Sequence, residues 1–161
     1  MTKMMFIRPP FKGMGRYVPP HLGIATLYNY LHGKFDWIEF SLVDALADAL
    51  DEEQIVKAIN YSRPDILAIT IKTMQVKQAK EIIERVKDIY NPLIICGGNH
   101  VSVSPQEFVR CGADYAIVGE GEEAIEKIIQ HEFGHYEESL DDCVNICTKN
   151  NVERCGFEPA G

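Results

Sequence analysis

Four short runs constrain this chain most: MMFI (4–7), ILAITI (66–71), LIIC (93–96) and YAIV (115–118). Each is apolar at nearly every position, whereas a strand with one wet face alternates apolar and polar residues. Such runs suit strands covered on both sides, the usual setting of a parallel sheet. A fifth run, WIEFSLV (37–43), ends at Asp44. The stretches between them are longer and carry apolar residues at helical spacing. Helices are predicted from near Pro20, with Leu22, Ala25, Leu27, Tyr30 and Leu31 on one side, and after Asp51, which suits an N-cap ahead of Glu52 and Glu53. Further helices are predicted over 75–90, from Pro105 to Val109, and from Gly121 to Ile129. Strands that alternate with helices imply right-handed crossovers. The expected fold is a flavodoxin-like (Rossmann-like) three-layer α/β domain with a five-stranded parallel sheet in the order 2-1-3-4-5.

Composition narrows the function classes. At 161 residues, 46% hydrophobic and 25% charged, the chain has the size and balance of one globular domain. A net charge of -8 argues against a nucleic-acid partner or an anionic membrane surface, which favour Lys/Arg clusters. No apolar run approaches a membrane span, and MTKMMFIRPP lacks the apolar core and cleavage site of a signal peptide. Five cysteines without a disulfide-type spacing fit a reducing, cytoplasmic setting. The expected organisation is a ligand-binding domain over residues 1–132, then a polar linker or hairpin over 133–161 with Asn150-Asn151 at its turn. The abrupt stop at Gly161 leads to the expectation of a longer parent protein.

Ligands of open parallel sheets bind beyond the carboxyl ends of the strands, so the residues after each strand are the informative ones. They are RPPFKGMG after the first, Thr70, Lys72, Thr73 and Met74 after the third, CGGNHVSVSP (96–105) at the fourth, and Gly119-Glu120-Gly121-Glu122 after the fifth. The Gly97-Gly98 break, followed by Asn99, His100, Ser102 and Ser104, admits a tight turn, a metal site or a rim that touches a ligand. Glycine allows close approach to backbone, and hydroxyls both donate and accept, which suits amide-bearing ligands. Common ligands of this fold class fit badly. Gly13-Met14-Gly15 lacks the third glycine of a dinucleotide loop, Pro9-Pro10 stands where a flavin phosphate loop would enter a helix, and Thr70 and Arg8 stand where a phospho-acceptor domain needs acidic residues.

The ordered set RPP, PPHLGIATLYNYL, PDILAITIKT, IICGGNHVSVSPQEF and DYAIVGEGEEAIEKII resembles the N-terminal cobalamin-binding domain of radical S-adenosylmethionine enzymes. That family includes anaerobic magnesium-protoporphyrin IX monomethyl ester cyclases and cobalamin-dependent methyltransferases. The resemblance spans about residues 4–130. It implies a corrin over the strand ends and its nucleotide tail inserted along the sheet. By position, Thr70 and Thr73 would meet the tail or corrin amides, Gly97 and Gly98 would keep the tail's channel open, and Ser102 would face its polar end. Gly119, Glu120 and Gly121 would border the same pocket, and the loop from Arg8 and Pro9 through Gly13 to Gly15 would cover the corrin's lower face. In this motif His100 resembles a supporting turn residue and not a metal ligand. The resemblance also implies a following radical S-adenosylmethionine domain with an iron–sulfur cluster, so that this chain alone would not be the catalyst.

Two departures qualify that picture. None of the five histidines sits in D-x-H-x-x-G, so cobalt would lack that histidine ligand. Cys143 and Cys147 have the first spacing of C-x-x-x-C-x-x-C, but Asn150 occupies the third position and the next cysteine is Cys155. A rival motif is HEFGH (131–135), which matches H-E-x-x-H: on a helix His131 and His135 would bind zinc with Glu132 as general base, and Glu153 or Glu158 as a distant third ligand. Against it, Gly134 falls where the helix should end. The three readings are therefore a cobalamin-binding module, a zinc hydrolase, and a ligand-free partner-binding scaffold.

Overall fold

Alternate side chains of one strand face opposite ways, and two separate apolar clusters follow from that rule. In this computed structural model, which describes residues 1–13 and 18–155, β1 (Thr2–Arg8) sends Met4 and Phe6 to one cluster and Met5 and Ile7 to the other. The remaining strands are β2 (Ile38–Asp44), β3 (Ile66–Thr70), β4 (Leu93–Gly97), β5 (Tyr115–Ile117) and β6 (Ile146–Cys147). Helices α1 (Leu22–His32) and α6 (Glu122–Phe133) cover the Phe6 side, while α2 (Glu52–Ser62), α3 (Val76–Lys87), α4 (Asn99–Val103) and α5 (Pro105–Cys111) cover the Ile7 side. The three expected layers are present.

The sheet order is β2-β1-β3-β4-β5-β6, with β1 to β5 parallel. The expected order of the first five strands holds. The expected strand total does not: β6 adds antiparallel to β5, pairing Ala116 with Cys147 and Ile117 with Ile146. The tail thus spends its strand residues on the open sheet edge instead of on a hairpin with itself. Edge pairing satisfies backbone groups of β5 that would otherwise need water, and it buries Ile146 and Cys147.

Several local signals act as the sequence predicts. Asp51 caps α2 by accepting from the Gln54 amide at 2.8 Å, and the Gln54 side chain returns the bond at 2.9 Å. Pro105 opens α5. The last helix runs four residues past the expected Ile129 and stops at Phe133, with Gly134 as its cap. Replacing Asp51 with Ala removes one half of the reciprocal cap. We expect Asp51→Ala to lower unfolding free energy by about 1 kcal/mol in urea melts, without a change in the denaturant slope.

Candidate functional site

The strand order reverses at β1, which lies between β2 and β3, and the switch places an opening above these strand ends. A cavity of about 620 Å³ sits there. It runs from the loops at the strand ends down between the sheet and the α1–α6 layer. Register explains its shape. Thr70 pairs with Gly97 across β3 and β4, and Ala68 pairs with Ile95 one pleat deeper, beside Phe6 of β1. Small residues therefore line up on one face of adjacent strands, where larger ones would fill the space to α1 and α6.

The two kinds of glycine at this mouth differ physically. A Cβ built on Gly97 or on Gly119 meets no atom of the described residues within 4 Å. At Gly97 the protein's own packing does not require glycine and the space is open; Gly119 also faces open space, but its φ of 80° is left-handed backbone that itself favours glycine. A Cβ on Gly98 would lie 2.7 Å from the Ile71 carbonyl oxygen, and Gly98 has φ of 111°. The chain's own backbone demands that glycine: Ile71 donates to the Gly97 carbonyl at 2.8 Å and accepts from the His100 amide at 3.2 Å, which draws the two loops together. Gly121 stands at the start of α6, where a Cβ would press on Leu27 of α1 at 3.2 Å.

Arg8, Thr70, Gly97, Gly98, Ser102, Gly119, Glu120 and Gly121 all line the cavity. Pro9, Gly13 and Thr73 do not. Pro9 is buried and its carbonyl accepts from the Gln75 side chain at 2.7 Å. Gly13 turns an exposed loop with φ of 113°. Thr73 is exposed and holds His100 Nδ1 at 3.2 Å. Gly15 and Glu158 lie outside the described residues. His100 also meets Glu107 through Nε2 at 3.0 Å, and Glu107 in turn takes Lys80 at 2.5 Å. That network ties the loop after β3 to α3 and α5. The hydrogen bonds from Lys80 and, after the opposing effect of burial, from His100 hold the Glu107 carboxyl below its usual range.

The expected lining residues Arg8 and Ser102 are held by specific bonds, and residues that the sequence reading did not single out join them. Arg8 is only 3% exposed and donates to the Pro19 carbonyl at 2.9 Å and to Asp44 at 3.3 Å, so it fixes one wall. His21 is the residue most clearly missed. Its Nδ1 accepts from the Ile24 amide at 3.0 Å and caps α1, and its Nε2 lies 3.2 Å from Thr70 Oγ1. An Nδ1 that accepts puts the proton of neutral imidazole on Nε2, which donates to Thr70 and leaves the Thr70 hydroxyl hydrogen for another acceptor. The signal was Pro19-Pro20-His21 directly before a helix. Ser102 donates to the Gly98 carbonyl at 3.2 Å and accepts from the Gly119 amide at 2.9 Å, bracing α4 against the loop after β5. The deep part of the cavity is lined by Phe6, Leu27, Ala68, Ile95, Ile117 and Ile125.

The rival zinc motif does not assemble. α6 ends at Phe133, and Gly134 leaves it with φ of -123° and ψ of -144°, so His135 is not one helical turn from His131. Glu132 instead accepts the Tyr115 hydroxyl, an arrangement that, with burial as the larger cause, pushes that phenol up. No group of three or more His, Cys, Asp and Glu side chains is placed to hold a metal among the described residues. Cys143 packs on the Phe6 side of the sheet, while Cys147 and Cys155 pack on the Ile7 side.

Comparisons with known proteins bear on this site. The family described as B12 binding domain matches residues 15–129. An uncharacterised methyltransferase of Pyrococcus horikoshii is 30% identical over 137 residues, which are 80% of this chain and 29% of that protein. The anaerobic magnesium-protoporphyrin IX monomethyl ester cyclase of Cereibacter sphaeroides is 23% identical over 134 residues, 80% of this chain and 22% of the cyclase. The chain thus spans less than a third of the length of these relatives. The cobalamin-dependent S-adenosylmethionine radical enzyme OxsB, solved with aqua-cobalamin and S-adenosylmethionine bound, superposes with a TM-score of 0.72 at 22% identity. The match covers 91% of this chain and 20% of OxsB, and it is a likeness of fold.

Two measurements check the local physics. Gly98→Ala is expected to cost about 2 kcal/mol or more in a urea melt, whereas Gly97→Ala should stay within about 0.5 kcal/mol of the parent. Burial, then the charges of Arg8 and Lys72, lowers the pKa of His21 below its usual 6.5. A base lowered in the folded state supports stability above its unfolded pKa, and that support is lost as pH falls from 6.5 through the lower folded value. Urea melts between pH 7.5 and 5 should therefore show a fall in the wild type that is smaller in His21→Asn, which keeps an N-cap acceptor but does not titrate.

Proposed function

The chain belongs to the B12-binding domain family, and from that membership we propose that it holds cobalamin over the carboxyl ends of β1, β3, β4 and β5. The nucleotide tail would descend the slit between the sheet and the α1–α6 layer. The observation that carries this reading is the vacant ground around Gly97 and Gly119 at the mouth of a 620 Å³ cavity. The residues present fit such a group. Close-packed interiors leave little space without a use, and here two glycines face space that no atom of the described residues fills.

The chain's own residues would act by binding and orienting. The open surface at Gly97 and Gly119 lets a flat, bulky group approach the backbone. Thr70 offers a hydroxyl donor held in place by His21, and the exposed Glu120 and Asn99 present acceptors to amide groups at the rim. Leu22, 76% exposed at the edge of the cavity, would be covered by an apolar face. When bound, cobalamin supplies methyl or electron transfer at cobalt. The sequence offers no D-x-H-x-x-G histidine to such a group, and the buried Arg8 at the end of β1 would fix the wall beside it.

The remaining functions would belong to the rest of a longer, cytoplasmic protein. Residues 1–132 would form the cobalamin domain and 133–161 a connection to a radical S-adenosylmethionine domain with its iron–sulfur cluster, in a cyclase or methyltransferase. Support comes from the small share of each relative that this chain matches.

The test is direct. Hydroxocobalamin is added, the protein is desalted, and the corrin visible spectrum is recorded. The wild type should retain the colour, and Gly97→Leu, whose side chain would enter the open space, should lose it while keeping its circular dichroism and melt. A folded wild type that emerges colourless at saturating cobalamin would defeat the proposal.

A further inference from the structure

The deep part of the slit is chemically unlike its mouth. Phe6, Ala68 and Ile95 lie one pleat, about 7 Å, below the level of Arg8, Thr70 and Gly97. Leu27 and Ile125 close the helix side and Ile117 the far strand. None of these six side chains has a donor or acceptor. The backbone groups beneath them pair within the parallel ladder of β1, β3 and β4. The side-chain polar groups lie at the mouth, where Thr70 meets His21 and Ser102 meets Gly119.

We infer that the slit selects among corrinoids by the lower base of the nucleotide tail, accepting an alkylated benzimidazole and discriminating against a purine. This inference rests on the reading that the tail enters the slit. A dimethylbenzimidazole presents methyl groups and ring carbons to the apolar floor, and burying that surface is favourable. An adenine brings an exocyclic amine and additional ring nitrogens to the same floor. Those groups leave water and find no partner, so each costs free energy that the benzimidazole does not lose. Apolar pockets reject polar isosteres only moderately, so the preference should be on the order of tenfold to a hundredfold. Ala68, 7% exposed, is the smallest side chain of the floor.

Equilibrium dialysis of the 161-residue chain with three corrinoids tests the inference: hydroxocobalamin, its adenine-based counterpart, and cobinamide, which has no base. Cobalamin should bind about tenfold or more tighter than the adenine form, and cobinamide weaker than cobalamin. Ala68→Ser adds a hydroxyl to the floor and should shrink the benzimidazole-to-adenine ratio severalfold. Leu27→Gln, at a half-buried helix position, is a second route to the same change if Ala68→Ser does not fold. Equal affinity for the two tailed corrinoids overturns the selectivity and leaves cobalamin binding intact. Cobinamide binding as tightly as cobalamin also overturns it, because the slit then takes no base. Binding of none of the three defeats the cobalamin reading itself.

Discussion

Burial of β1, β3 and β4 on both faces is the constraint on which everything else in this domain depends. A one-residue slip would exchange the two clusters, moving Phe6, Ala68 and Ile95 from the α1–α6 side to the α2–α3 side. Because both sides are packed, such a slip has nowhere to put its side chains. The register therefore holds, and with it the alignment of Arg8, Thr70 and Gly97 at one level of the sheet. The cavity is a consequence of that alignment: β3 and β4 end in Thr70 and Gly97, with Ala68 one pleat below, and these small side chains leave space beneath α1 and α6.

The mouth is kept in shape by a few interactions between loops. Gly98 passes so close to Ile71 that only glycine fits, and two backbone hydrogen bonds lock the approach. His100, Glu107 and Lys80 tie the same region to α3 and α5, while Ser102 reaches across to Gly119. On the other side the buried Arg8 joins the Pro19 carbonyl and Asp44. A buried ion pair of this kind contributes position more than stability. Its effect here is to hold the segment before α1, and so His21, against Thr70.

Adjacent glycines in one motif thus have opposite origins. Gly97 borders empty space and Gly98 is sterically required. Both read alike in the sequence, because a missing side chain does not say whether the neighbour that excludes it belongs to the protein or to a ligand. The same limit applies to the histidines. His131 and His135 carry a metal-site spacing, yet the helix stops between them at Gly134. His21 carries no motif, yet it joins a helix cap to the strand end 49 residues away.

The order of the first five strands, the two-sided burial, the Asp51 cap and the loops that face the cavity were legible from residues alone. These features depend on periodicity and on neighbours a few positions apart, which any stretch of sequence displays directly. The sixth strand, the pairing of His21 with Thr70, the placing of Cys143 and Cys147 on opposite sides of the sheet, and the difference between Gly97 and Gly98 were decided only in three dimensions. Each involves residues brought together by the packing of separate elements. Ile146–Cys147 is too short to show a period, and it becomes a strand only because β5 presents an open edge for it to pair with.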